Sequence, residues 1–418
     1  MFRPSLYNIL DNDCIYNSLS DNFILFSDND TKDKILSFLK NKFIETLNNS
    51  DLELLFELGF LVDDSVNELE IVKKQYQDMF LNNDILTITY LPTFKCNLNC
   101  AYCFQTDLKK DEPDNHLLIE RFLNLKLKDI KQLNLALFGG EPLYEKEKLL
   151  FFLNTIKNLQ KLYNFKLYIS MTTNGTLLNS IVITELFNIL PIDFFQITID
   201  CNKEQHDSLR VSDSYPRTYD TIFFNIQTLI LKYNTEVTIR INLLNNTLDD
   251  IQSTLDDILK IKNNKDNKGD IKIYYRPLYS TTSFKTTNKN KFTLEDFYKK
   301  TLENNLKVFI PPYFTCETTG GKNSFFLTSD GKLWKCLQEK TEKTLLGEID
   351  NKAQVIYNEN LENWTNPFLD LDKKCLLCKF LPKCFGGCRL KKIKNQENTC
   401  FYEKNFSLTT IFGGYYEE

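Results

Sequence analysis

Short apolar runs alternate with amphipathic stretches across residues 85–279. The runs fall at 86–91, 133–138, 167–172, 194–199, 237–243 and 271–277. Each is rich in β-branched or aromatic residues, the composition of a strand buried on both faces. Between them, Leu149, Phe152, Leu153, Ile156 and Leu159 recur at helical spacing, as do Ile222, Ile226 and Leu229. Such stripes predict helices packed on a sheet. His116 falls in a helix expected before the second strand. Alternating β and α elements predict a parallel sheet with right-handed crossovers, an α/β fold.

Residues 1–84 follow a different pattern. A short strand at 23–26 reads as part of a hairpin. A helix over 32–48 is expected from Ile35, Phe38, Leu39, Phe43 and Leu47, a second over 51–58, and a third from Val66. The lysine- and asparagine-rich stretch 261–269 reads as a solvated loop, and no internal repeat is present.

Polar and glycine residues gather where the predicted strands end. The first strand leads into Cys96-Asn-Leu-Asn-Cys100-Ala-Tyr102-Cys103, and the second into Gly139-Gly140-Glu141-Pro142. The third leads into Thr173-Asn174-Gly175 and the fourth into Asp200-Cys201. In a parallel barrel these ends open on one face, where barrel enzymes keep their sites.

At 418 residues the chain suits two or three domains. Apolar residues (42%) suffice for a core, and 26% charged residues do not suggest global disorder. A net charge of −5 disfavours a broad nucleic-acid or membrane surface. The opening residues lack a secretory pattern, and no apolar run reaches about 18 residues. Twelve cysteines grouped in two regions fit intracellular metal binding better than disulfides. The expectation is a cytoplasmic protein with no membrane or nucleic-acid partner.

The chemistry starts from the CxxxCxxC loop. Three thiolates on one short loop suit three irons of a cubane cluster. A structural zinc wants four ligands, and this loop offers three with no histidine nearby. A cluster held by three residues leaves one iron open, the mark of a reactive site.

Cys96, Cys100 and Cys103, with Tyr102 before the third, resemble the signature of the radical S-adenosylmethionine (SAM) superfamily. The resemblance implies a partial (β/α)6 TIM-like barrel over residues 85–305. It also implies a [4Fe–4S] cluster whose open iron chelates SAM, and reductive cleavage to a 5′-deoxyadenosyl radical. Gly139, Gly140, Glu141 and Pro142 are similar to the family motif that binds the methionine amino group. Glycines there let backbone approach a ligand closely. The stretch from Thr198 to Arg210 resembles the sulfatase-maturing branch, in which the equivalents of these two residues contact SAM. A guanidinium suits a carboxylate through two parallel hydrogen bonds. Asn174, Asn242 and Leu278, at strand ends, are further expected SAM contacts. Cys201 stands where the family usually has glycine.

A second cysteine series runs Cys316, Cys336, Cys375, Cys378, Cys384, Cys388, Cys400. Its CxxC pair alone fits a zinc knuckle. The ordered series resembles the SPASM extension of peptide-modifying radical SAM enzymes, which places a cysteine-rich domain over 306–418. The resemblance implies two auxiliary [4Fe–4S] clusters, three clusters in all. Cys375, Cys378, Cys384 and Cys400 would ligate the second, and Cys316, Cys336 and Cys388 the first. Some relatives supply a fourth ligand six residues before the Cys316 position, where this chain has Ile310. An open auxiliary iron is then expected, unless Cys14 or Cys201 closes it.

Residues 1–84 resemble the small α+β, winged-helix-like modules that precede ribosomal-peptide maturases and take a leader peptide as an added strand. Plain structural packing is the alternative. The expectation is an enzyme installing a cysteine thioether in a ribosomally made precursor peptide, with a flavodoxin- or ferredoxin-type reductant. Carbon–carbon crosslinking and epimerisation are alternatives within the family. So is formylglycine formation, although that branch carries aspartate directly after the second SPASM cysteine and this chain has Leu337. An iron–sulfur redox sensor or zinc scaffold is the non-enzyme alternative; it needs no SAM pocket.

Overall fold

The structure is a computed structural model. It describes residues 2–10, 14–26, 28–41, 47–109, 113–212, 217–278, 292–311, 316, 321–359 and 361–394. Cys400, Phe43 and the stretch 279–291 lie outside the described residues. The chain divides into two compact units. One comprises Met1–Asn82, Pro311–Cys316 and Asn363–Glu418; the other Asn83–Ile310 and Glu317–Glu362.

In the first unit, β1 (Phe2–Pro4) pairs antiparallel with β5 (Leu61–Asp63). Strands β2 (Asn8–Leu10), β3 (Cys14–Asn17) and β4 (Asn22–Leu25) form a separate antiparallel sheet in that order. The expected hairpin at 23–26 is therefore one strand of three. Helices α1 (Asn29–Asn41), α2 (Asn49–Glu57) and α3 (Glu68–Phe80) follow the predicted succession. Asn48 caps α2 by accepting from the Asp51 amide. Ile15, Phe38, Leu55, Phe60 and Leu61 form one buried cluster. The Glu68 carboxylate is buried and paired with the Arg3 guanidinium at 2.6 Å, so the charge is compensated.

A second cluster in this unit joins its two chain ends. Tyr7, Val72 and Tyr76 pack with Leu381 and Phe385, and Cys375 lies against them. The Tyr76 ring meets Phe385 edge-on at 5.3 Å and Phe368 at 5.5 Å, geometries aromatic pairs prefer. Lys383 pairs with Asp21 at 2.9 Å.

The second unit is built on one sheet. The parallel strands β6 (Ile85–Leu91), β7 (Gln132–Leu137), β8 (Lys166–Thr173), β9 (Phe194–Asp200), β10 (Glu236–Leu243) and β11 (Asp270–Pro277) lie side by side in chain order. These are the six predicted strands, each end within one residue of its expected place. Helices α4 (His116–Leu127), α5 (Lys146–Tyr163), α6 (Ser180–Ile189), α7 (Lys203–Leu209), α8 (Thr218–Lys232) and α9 (Gln252–Lys262) fill the crossovers.

The sheet continues beyond these six. A short β12 (Lys307–Val308) adds parallel to β11, and β13 (Ser324–Thr328) adds parallel to β6. Then β14 (Lys332–Trp334), β15 (Leu345–Ile349) and β16 (Val355–Tyr357) extend it antiparallel. One face of the parallel strands is apolar: Ile88, Leu135, Ile169, Ile197, Ile199, Ile239, Ile241 and Ile273 are buried there. Strand alternation places polar side chains on the other face. No helix among the described residues is long and apolar enough to cross a membrane.

Candidate active site

The cysteine loop leaves β6 and is held by bonds to the ends of the next four strands. Gly140 N–H donates to the Thr93 carbonyl at 3.1 Å, and Glu141 N–H to the Lys95 carbonyl at 2.9 Å. A Cβ on Gly140 would lie 2.3 Å from both the Lys95 and Phe94 carbonyl oxygens. Glycine is required for this approach. The Glu141 carboxylate turns inward, fully buried. It accepts from Leu143 N–H at 3.1 Å, the Thr173 hydroxyl at 2.8 Å and Asn174 N–H at 2.8 Å. It thus clamps the loop after β7 to the loop after β8. Burial pushes its pKa up, opposed by these hydrogen bonds.

Asn174 continues the chain of contacts. Its Nδ2 donates to Asn97 Oδ1 at 2.9 Å and lies 3.7 Å from Cys96 Sγ. Asn97 Nδ2 in turn donates to the Thr176 hydroxyl at 2.8 Å. On the far side the loop meets the segment after α7. Asn99 N–H donates to the Val211 carbonyl at 2.7 Å, Ala101 N–H to Leu209 at 3.0 Å, and the Ser212 hydroxyl to the Asn97 carbonyl at 3.0 Å.

Tyr102 ties the loop to β9 and β10. Its hydroxyl donates to Asp200, at 2.7 and 2.5 Å from the two carboxylate oxygens, and accepts from Arg210 Nη1 at 2.9 Å. Asn242 Nδ2 donates to Asp200 Oδ1 at 2.8 Å and to the Tyr102 hydroxyl at 3.2 Å. Asp200, Arg210 and Asn242 are all buried. Burial pushes the Asp200 carboxyl up and Arg210 pulls it down. His206 accepts from Asp200 N–H through Nδ1 at 3.2 Å, which leaves Nε2–H to donate to Thr218 at 3.0 Å. Burial holds this imidazole neutral, well below its ordinary pKa, with Arg210 adding to the effect.

The predicted residues Cys96, Cys100, Cys103, Tyr102, Gly139, Gly140, Glu141, Asn174, Arg210 and Asn242 are brought together in this one network. Thr198 lies on the polar face of β9, half-buried, and Leu278 is buried just past β11. Asp200, Asn97 and His206 are central to the network and were not among the predicted site residues. The signal for Asp200 was its place at the end of a barrel strand. Cys201 is fully buried at φ +46°, a left-handed backbone that explains why glycine suits this position. Burial pushes its thiol up to about 12. Cys14 is buried in the first unit.

Three free thiols on one short loop fit three corners of a [4Fe–4S] cube, one thiolate to each iron. Among the described residues no group of three or more His, Cys, Asp or Glu side chains is placed to hold a metal ion. Leu98 N–H donates to Cys96 Sγ at 3.4 Å, the kind of bond that supports a thiolate. Burial pushes the Cys96 thiol up to about 11 and raises Cys100, so metal binding would displace protons. Arg210 Nε is buried with no hydrogen-bond partner among the described residues, a donor left over for an anionic ligand.

Of the second cysteine series, Cys375 and Cys384 lie on short helical turns of the first unit and Cys378 between them, all three partly buried. Cys316 and Cys388 are exposed, and Cys336 follows β14 in the second unit. Leu337 is buried with Leu91, Phe94 and Trp334.

Residues 90–258 match the profile of the Radical SAM superfamily. A cysteine-type anaerobic sulfatase-maturating enzyme of Clostridium novyi is 25% identical over 75% of this chain and 93% of its own length. The radical SAM cyclopropyl synthase TigE of Paramaledivibacter caminithermalis is 22% identical over 89% of this chain and 84% of its own. The solved structure of anSMEcpe with bound AdoMet and Kp18Cys peptide has a TM-score of 0.56 at 21% identity, covering 79% of this chain and 96% of that one. Streptococcus suis SuiB bound to S-adenosylmethionine gives 0.52 at 16% identity, covering 98% and 99%. Both share the fold. The loop, its strand-end partners and the family profile coincide: residues 90–258 form a radical SAM domain.

Proposed function

We propose that this enzyme joins a cysteine sulfur to a carbon of another residue in a ribosomally made precursor peptide. The observation that carries the radical reading is the cysteine loop itself. It is fixed at the strand ends beside a buried arginine with an unused donor. Cys96, Cys100 and Cys103 would hold the cluster. Arg210 and Thr198 would take the SAM carboxylate, and the Gly139–Gly140–Glu141–Pro142 backbone the amino group. Asn174, Asn242 and Leu278 would line the same ligand. When bound, these cofactors supply one-electron cleavage of the sulfonium and the 5′-deoxyadenosyl radical. The protein's part is to orient the ligand and shield it from water.

A peptide substrate is supported by the relatives, one named for sulfatase maturation and another solved with a peptide. In this reading residues 1–84 take the leader, 85–305 perform SAM cleavage and 306–418 hold two auxiliary clusters. Strand β4 ends the three-stranded sheet and exposes Phe23 and Leu25, which suits strand addition by an extended peptide. Cys316, Cys336 and Cys388 would hold the first auxiliary cluster, and Cys375, Cys378, Cys384 and Cys400 the second. The sulfur–carbon bond is favoured by Ile310, which withholds a fourth cysteine from the first set. Mass spectrometry of the peptide co-expressed with the enzyme tests this reading. A loss of two hydrogens, with the cysteine blocked to alkylation, is expected; an unchanged mass or an alkylatable cysteine refutes it.

Formylglycine formation is the second reading, favoured by the similarity to the Clostridium novyi relative. Against it, Leu337 fills an apolar cluster where that branch carries an acid. A general base must reach the proton it removes, and leucine offers none.

A further inference from the structure

Tyr7 joins the two ends of the chain within the first unit. Its carbonyl accepts from Ser18 N–H at 3.1 Å, and the Ser18 hydroxyl donates to the Lys379 carbonyl, one residue beyond Cys378. Its ring is 1% exposed and packs with Val72, Leu381 and Phe385, with Cys375 against the same cluster. Leu381 N–H donates to the Cys378 carbonyl at 3.0 Å and closes the turn that begins at that cysteine. Backbone and ring together set Tyr7 alongside the turn over 375–381.

The hydroxyl is the misfit in this packing. It is buried and makes no hydrogen bond among the described residues. A buried donor with no acceptor is costly, and phenylalanine would fill the same volume without it. Two ionisable side chains act electrostatically on this phenol, Glu68 and Cys378. The Glu68 carboxylate already accepts from the Arg3 guanidinium, the Ser5 hydroxyl and Leu6 N–H. That leaves Cys378. Burial first, then Glu68, then Cys378 push the phenol's pKa up to about 12, so the hydroxyl keeps its proton and remains a donor. A neutral thiol is a weak acceptor, whereas a metal-bound thiol is deprotonated and accepts strongly.

We propose that the Tyr7 hydroxyl is a donor held for the metal-bound thiolate of Cys378, so that the N-terminal segment completes the second auxiliary site. This rests on the reading above in which Cys375, Cys378 and Cys384 serve that cluster. Without metal the hydroxyl stands unmet; with metal it meets the one strong acceptor this packing can offer it. Tyr7 is a positioning residue, since it acts through the Cys378 sulfur and touches neither SAM nor peptide. Its bond strengthens as negative charge on the sulfur grows, so it favours the reduced form of the site.

The test uses the full chain, reconstituted anaerobically with iron and sulfide, as wild type, Tyr7→Phe and Cys378→Ala. Each is reduced stepwise with dithionite and mediator dyes under electron paramagnetic resonance. The midpoint that disappears in Cys378→Ala belongs to this site. In Tyr7→Phe that midpoint is expected to fall by about 59 mV, a tenfold change in the oxidised-to-reduced ratio at fixed potential. The other midpoints should stay in place. A chelator should strip the iron of this site about tenfold faster from Tyr7→Phe than from wild type. Metal-free Tyr7→Phe should unfold in urea no earlier than metal-free wild type. An unmoved midpoint in iron-replete Tyr7→Phe overturns the proposal. So does an equal fall of every midpoint, which would report general loosening. Earlier unfolding of metal-free Tyr7→Phe overturns it too, since the hydroxyl would then have a partner without metal. The iron content of Cys378→Ala reports on the parent reading separately: about four fewer irons per chain are expected if the cluster exists, and an unchanged count refutes that reading whatever Tyr7 does.

Discussion

The two groups of cysteines are held in different ways. The loop Cys96–Cys103 is laced to its surroundings by hydrogen bonds from Thr93, Lys95, Asn97, Asn99, Ala101 and Tyr102 to the ends of neighbouring strands and helices. The turns carrying Cys375, Cys378 and Cys384 pack against an apolar cluster of Tyr7, Val72 and Tyr76, with local backbone turns between cysteines. Hydrogen bonds are directional and fix a position closely; apolar contacts fix a volume. The barrel loop is thus shaped before any metal arrives.

That contrast can be broken at several points. The largest effect should come from Phe385→Ala, which removes the ring that meets Tyr76, Phe80 and Phe368. A loss of about 3–5 kcal/mol in the first unit is expected by urea denaturation, with the second unit's transition unmoved. Next is Gly140→Ala, whose methyl would collide with two carbonyl oxygens. The displaced loop should lower 5′-deoxyadenosine formation about 100-fold with little change in denaturation midpoint.

Tyr102→Phe probes the hydrogen-bonded side directly. Asp200 would lose a donor and Arg210 an acceptor, costing about 1–3 kcal/mol by denaturation, together with weaker SAM binding by dialysis. A pH series tests the same region through His206. Its ring is neutral in the folded state, with a pKa depressed well below the ordinary 6.5. The unfolded chain therefore binds that proton first. Stability is complete above about pH 6.5 and declines as pH falls toward the folded value, by up to about 1.4 kcal/mol per pH unit. Thermal melts of wild type and His206→Gln should differ in slope below that pH. The smallest effect concerns Tyr7, whose buried hydroxyl has no hydrogen-bond partner among the described residues and whose pKa is pushed up to about 12 by burial first. Tyr7→Phe should leave the metal-free protein as stable or about 1 kcal/mol more so by denaturation.

Much of this organisation could be read from residues alone. The six parallel strands were legible because each is a short β-branched run bounded by a polar loop, and a two-sided burial leaves that mark. Four strand-end motifs implied one shared face. The addition of β13 to the edge of β6 was not legible, since Ser324-Phe-Phe-Leu-Thr pairs with a strand more than two hundred residues earlier. Asp200 was legible only as a polar residue at the end of the fourth strand; the register sets it beside Asn242. Arg240 and Arg276 sit inside apolar runs, and only the pleat shows that they share a face.

One consequence follows from Asn97, which touches Asn174, Thr176 and Ser212 at once. Groups joined so closely do not contribute independently, and their removal in pairs should depart from the sum of single losses. A graft of the eight-residue cysteine stretch into a foreign barrel would therefore be inert unless its four anchoring loops travelled with it.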